Sequence, residues 1–154
     1  VGRLLYEKLR ANPNYEARLS RPTPTTQLGT SNAGSLRARV QGAEDFGADL
    51  FLSIHTNASV NSSASGSEAL VYRVDSTAGR IGESLLRSMT RLTGLRNRGV
   101  IARPGLYVLR KTSMPAVLME IGFISNPGDA ALMRDNPDLF AEGLYRGLNA
   151  YYGF

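Results

Sequence analysis

The chain contains no cysteine, which removes disulfides, cysteine-based zinc sites and thiol nucleophiles together. Lack of cysteine is compatible with export but does not demonstrate it. No apolar run approaches the ~18 residues of a membrane span, so no membrane insertion is expected. Histidine occurs once, as His55 in "ADLFLSIHTNAS". Any metal site or general-base pairing that uses histidine therefore has a single imidazole to draw on. The opening "VGRLLYEKLR" has neither the charged n-region nor the apolar h-region of a signal peptide. Basic residues are scattered, and no tract interleaves them with aromatics as single-strand binders do. No nucleic acid is expected as a partner.

What is present suits one ordinary domain. A length of 154 residues allows one real core and not two comfortable ones. Apolar residues make up 42% and charged residues 20%, the balance of a soluble globular chain. Lysine and arginine number 18 against 13 acidic residues, giving a net charge of +5 that is nearly all arginine. Such a surface suits an acidic partner, an anionic wall polymer among them.

The apolar spacing predicts an alternation of helices and strands. Val1, Leu4, Leu5 and Leu9 follow helical spacing from the first residue, without a capping signal, so further chain is expected before Val1. A short strand is expected over 15–20, then a Pro/Thr/Gly loop. A helix follows with Leu36, Val40, Ala43 and Phe46 on one face and Gly47 as its stop. "ADLFLSI" and "MPAVLMEIG" are continuous apolar runs, as in strands covered on both faces. Between them lie a small-residue loop from Asn57 to Ser67, a strand "EALVYRV", an amphipathic helix ending at Gly94, and a short strand near 106–109. Two closing helices each open on Asn-Pro. The pattern gives an α/β three-layer fold, a twisted and mostly parallel sheet with helices on both faces.

Open α/β sheets place ligands beyond the carboxyl ends of their strands. The two most apolar strands end at His55 and at Glu120, so a parallel pairing brings both side chains to one cleft. His55 is either a hydrogen-bonded strand-end residue or a metal ligand. Glu120 lies between Met119 and Ile121, and a carboxylate in such a run needs a partner, a metal or a chemical task. A catalytic zinc takes three protein ligands and an open position. Glu44, Asp49 and Glu68 are the nearest further candidates, none with convincing ligand spacing. Serine hydrolysis is the rival chemistry; Ser53 shares the strand face of His55, but no G-x-S-x-G elbow occurs.

The segments "SLRARVQGAEDFGADLFLSIHTNAS", "GSEALVY", "LYVLRKTSMPAVLMEIGFISNPGDAALM" and "FAEGLYRGLNAYY" resemble zinc-dependent N-acetylmuramoyl-L-alanine amidases of the amidase-3 type. The resemblance covers essentially the whole chain. It implies a sheet of about six strands, a zinc held by His, Glu and His, and a glutamate acting on the zinc-bound water. Carried over, His55 matches the last zinc ligand and Glu120 the catalytic glutamate, while Asn57 and Glu68 match cleft positions expected to contact substrate. A first histidine in a D-P-G-H-G segment and the ligand glutamate before the first helix have no match here. Residues 1–154 are thus expected to be an amidase-3-like catalytic domain that is incomplete at its N-terminus.

The function so implied is hydrolysis of the amide between N-acetylmuramic acid and the L-alanine of the stem peptide, with Zn2+ as cofactor and peptidoglycan as partner. A monomer outside the cell, in the wall or periplasm, is expected. The competing class is a wall-binding domain without turnover, which the unmatched ligands would explain directly.

Overall fold

The computed structural model describes all of residues 1–154. In chain order the elements are α1 (Gly2–Arg10), α2 (Asn32–Phe46), β1 (Phe51–Asn57), β2 (Ser67–Val71) and α3 (Thr77–Thr93). They continue with β3 (Asn97–Ala102), α4 (Tyr107–Arg110), β4 (Ala116–Phe123), α5 (Pro127–Asp135) and α6 (Pro137–Tyr152). Local chemistry sets most of these bounds. The side chains of Ser31 and Ser76 cap α2 and α3, and Gly47, Gly94 and Gly153 end α2, α3 and α6 in the left-handed conformation. Asn126 caps α5 through its side chain, with proline at the first helical turn.

The four strands form one mixed sheet in the order β1-β4-β2-β3. The pairs β1/β4 and β2/β3 are parallel, whereas β2 and β4 run antiparallel. Two of three pairings are therefore parallel, as expected. The resemblance implied about six strands; this sheet has four. Helices cover both faces. Residues Ala69, Val71, Val117, Met119 and Ile121 project to one face and join Leu85, Met89, Phe140 and Leu144 of α3 and α6 in the larger core. The alternate residues Leu70, Ala116 and Leu118 face Val40 of α2 and Val108 and Leu109 of α4 in a smaller core.

On the larger face α6 lies directly against α3 because of two glycines. A Cβ on Gly143 would lie 2.5 Å from Met89 Cα, and one on Gly147 would lie 2.7 Å from Leu85 Cα. The two positions are one turn apart, so together they give α3 a smooth track on α6.

Several expectations need correction. Residues 15–20 form no strand, for Tyr15 is drawn instead into an aromatic cluster with Tyr145, Tyr152 and Phe154. Residues 106–109 lie in and beside a single helical turn rather than a strand. The turn at Pro104–Gly105 leads into Leu106, whose carbonyl accepts from Leu109 and Arg110 and so closes that turn. The strand of this region is β3, earlier in the chain, an edge strand whose exposed ends carry no strong apolar pattern. β2 stops at Val71, where its carbonyl accepts from Arg103 N, and leaves Tyr72 and Val74 exposed. Finally, β1 is only half buried, because it is the other edge strand of this sheet.

Candidate active site

Strand register assembles the site. His55 of β1 pairs with Glu120 of β4, and Glu120 pairs with Glu68 of β2. Residues opposite one another in a sheet project to the same face, so the three side chains form one row across the sheet. The row stands on the face of the smaller core, one step beyond Ser53, Leu118 and Leu70, which are likewise in register. The pairing of β1 with β4 shifts between His55 and Asn57, where the strand departs from regular geometry. His55 is thus two residues inside β1 rather than at its very end.

Each member of the row has a distinct environment. The Ser53 hydroxyl lies 2.6 Å from His55 Nε2. Burial, and then the charge of Arg39, lower the pKa of His55 below its ordinary 6.5, which favours the neutral imidazole that ligates metals. Glu68 is buried and fully engaged. Asn57 Nδ2 donates to its Oε1 at 2.9 Å, and Arg98 Nε donates to its Oε2 at 3.2 Å. The Arg98 guanidinium also lies over the Phe123 ring at 5.0 Å.

Glu120 differs from both. Its Oε2 is buried without any hydrogen-bond partner. Burial, with repulsion from Glu68 second, pushes its carboxyl up from 4.5 to about 7. A buried carboxyl oxygen left without a partner is costly to maintain, and a pKa near neutrality is what proton transfer at neutral pH requires.

As a metal centre the row is incomplete. No three His, Asp or Glu side chains of the chain converge so as to hold a metal ion, whereas a catalytic zinc takes three protein ligands. His55 fits as one ligand by its basicity and position, and Glu120 fits as a group beside the metal. The complete ligand set is not among these residues. Glu44 is excluded from it, because both its oxygens accept from Ser113, through the backbone N–H and the hydroxyl. Asp49 precedes β1, at the opposite end of that strand from His55.

The structure therefore brings together His55, Glu120, Glu68 and Asn57. Two further residues of the site escaped the sequence. Arg98 looked like one of many surface arginines, because the strand that carries it was not recognised. Arg39 had a readable signal: it is three residues after Leu36 and one before Val40, on the helix face that turns to the sheet. Its Nε is buried without a partner.

The walls of the site are fixed by hydrogen bonds. Buried Asp129 accepts from Ser65 Oγ, Gly66 N and Phe123 N. Ser59 N donates to Ser125 Oγ, and Asn126 Nδ2 donates to the Ser62 carbonyl. The small-residue loop from Asn57 to Ser67 is thereby held against the turn that follows β4.

Comparison with known proteins gives the family and the fold. Residues 1–150 match the amidase-3 family, described as N-acetylmuramoyl-L-alanine amidase. The chain is 34% identical over 143 residues to the N-acetylmuramoyl-L-alanine amidase LytC of Bacillus subtilis (strain 168), covering 90% of this chain and 29% of that protein. It spans about a third of the length of such relatives. Among solved structures, the catalytic domain of CwlV, an N-acetylmuramoyl-L-alanine amidase from Bacillus (Paenibacillus) polymyxa var. colistinus, superposes with a TM-score of 0.83 at 31% identity. The match covers 97% of this chain and 79% of that one. An N-acetylmuramoyl-L-alanine amidase from Clostridium difficile 630 gives a TM-score of 0.84 at 29% identity, covering 98% and 79%. Fold, matched length and identity agree, and the chain belongs to the N-acetylmuramoyl-L-alanine amidase family of the amidase-3 type.

Proposed function

We propose that this chain is the larger part of a peptidoglycan amidase domain that cleaves the bond between the lactyl group of N-acetylmuramic acid and the L-alanine of the stem peptide. The observation that carries this reading is Glu120, a buried carboxyl with an unpartnered oxygen and a pKa near 7, in one row with the only histidine. Glu120 takes the proton from the attacking water as the carbon–oxygen bond forms. It then delivers that proton to the leaving L-alanine amine as the carbon–nitrogen bond breaks. Asn57 and Arg98 hold Glu68 in place, so that Glu120 stays apart from their hydrogen bonds and free to exchange its proton. Asn57 and Glu68 border the cleft where substrate lies.

The family implies zinc. His55 would hold it, with the remaining ligands supplied from outside these 154 residues, and when bound it contributes a Lewis acid and a more acidic water. The protein acts outside the cell, in the wall or periplasm, as a monomer. The anionic character of the wall suits the net charge of +5.

The lack of a three-ligand cluster favours one other reading, a wall-binding domain without turnover. The Glu120→Gln variant of the full-length protein separates the two. We expect it to bind zinc and purified wall as the parent does, and to release stem peptides about 10²–10⁴-fold more slowly. Release at the parental rate removes Glu120 from the mechanism. A parent protein that binds wall but releases nothing establishes the binding domain instead. His55→Ala is expected to lose zinc, measured by metal analysis, together with activity.

A further inference from the structure

A cleft of about 410 Å³ opens between the loop that precedes α2 and the first turns of that helix. Of its ten lining residues only one is hydrophobic, and the two that carry charge, Arg21 and Arg39, are both cationic. Neither arginine is paired with a carboxylate anywhere in the chain. Arg39 Nε is in addition enclosed by protein without an acceptor. An enclosed guanidinium N–H that finds no protein acceptor is unusual, and with the exposed Arg21 and polar Gln27, Thr30 and Asn32 beside it Arg39 makes a receptor for an anion. Arg39 directly precedes Val40, which packs with Leu70 and Leu118, one step from Glu68 and Glu120 on the same sheet face, so the cleft lies on the side of the row of site residues.

We infer that this cleft is a subsite for a carboxylate of the stem peptide, gripped by Arg39 and Arg21 while the scissile amide lies at His55 and Glu120. The inference rests on the amidase reading for its choice of ligand. Around the scissile bond of a muropeptide the glycan side is uncharged, and the free carboxylates belong to the leaving peptide. A cationic cleft on the side of the row therefore selects the peptide side, and it fixes the direction in which substrate crosses the sheet. Guanidinium groups suit the task because their planar donors match a carboxylate two by two.

The test measures binding without turnover, on the Glu120→Gln full-length protein. The probes are N-acetylmuramoyl-L-alanyl-D-glutamate and its analogue with both glutamate carboxyls amidated, titrated by calorimetry. The carboxylate ligand is expected to bind roughly tenfold or more tightly than the amide, from the worth of a charge-assisted hydrogen bond. Arg21→Ala and Arg39→Ala should each reduce that preference, and Arg39→Lys should restore part of it. Arg21 is exposed, so its variant carries the test should Arg39→Ala fail to fold. Equal binding of the two probes, binding of neither, or a preference that survives both alanine variants overturns the subsite. Loss of hydrolysis in the parent protein, with the carboxylate preference intact, would count against the amidase reading and leave the subsite standing.

Discussion

The two faces of the sheet are built to different ends. The face covered by α3 and α6 holds a core cluster of 14 buried residues, all of them apolar. The opposite face, under α2 and α4, has a cluster of only 6 and gives the rest of its area to His55, Glu120, Glu68 and Ser53. A strand places alternate residues on opposite faces, so β4 serves both at once. Met119 and Ile121 point into the large core, and Glu120 between them points to the opposite face, in the row with His55 and Glu68. The comparison shows how a carboxyl with no hydrogen-bond partner is tolerated: burial of its two sequence neighbours on the far side holds it where it is.

Leu144→Ala offers the strongest challenge to this division. Leu144 is fully buried in the larger core, and its truncation should cost about 4–5 kcal/mol, near the upper end for such changes. Leu118→Ala in the smaller core should cost nearer to ~2–3 kcal/mol. Urea unfolding of both checks the difference, and equal losses would break the contrast. Next in size is Gly143→Ala. The added methyl would meet the backbone of Met89 at 2.5 Å, forcing α6 off α3 at a cost of about 1–3 kcal/mol.

On the cleft face a change of the opposite sign is expected. Glu120 has its folded pKa raised from 4.5 to about 7, so between those values the folded state binds more protons than the unfolded one. Stability therefore falls as pH rises through that window and levels off above it. Glu120→Gln removes the charge and should stabilise the chelator-treated protein at pH 8 by on the order of 1 kcal/mol after allowance for solvent screening. A loss of stability in this variant would mean that the carboxylate is supported where the structure shows no partner.

The smallest effect belongs to α1, which is tied to α6 by Lys8 Nζ, 2.9 Å from Glu142 Oε2. Its hydrogen bond to Lys8, then that to Arg146, lower the pKa of Glu142 below the ordinary 4.5. The resulting stabilisation is present above that ordinary value and is lost as pH falls through the lowered one. Glu142→Gln should thus cost under ~1 kcal/mol at pH 7 and progressively less in acid, as seen in urea midpoints across pH.

Much of this arrangement was legible beforehand, and what was not has a physical reason. His55 and Glu120 could be brought together because apolar runs of strand length announce buried strands, and parallel neighbours end on one edge. Apolar periodicity and the terminal glycines Gly47 and Gly94 placed α2 and α3 closely. β3 was missed because an edge strand with exposed ends carries no strong periodicity. The segment 106–109 was misread because a four-residue apolar run fits a strand and a single helical turn equally well. Arg98 could not be assigned to the site without β3. The pairing of Glu68 with Glu120 depends on an antiparallel register that no local pattern encodes.

That antiparallel pairing also governs how the cleft could be inherited or exchanged. It brings the loop that enters β2 beside the turn that leaves β4; Ser59, Ser65 and Gly66 donate to Ser125 and Asp129, and Asn126 donates back to the Ser62 carbonyl. Although they are some sixty residues apart in the chain, the two segments behave as one module. A chimera that takes only one of them from a relative separates donors from acceptors, whereas a transplant of residues 57–67 together with 123–129 carries the whole rim intact.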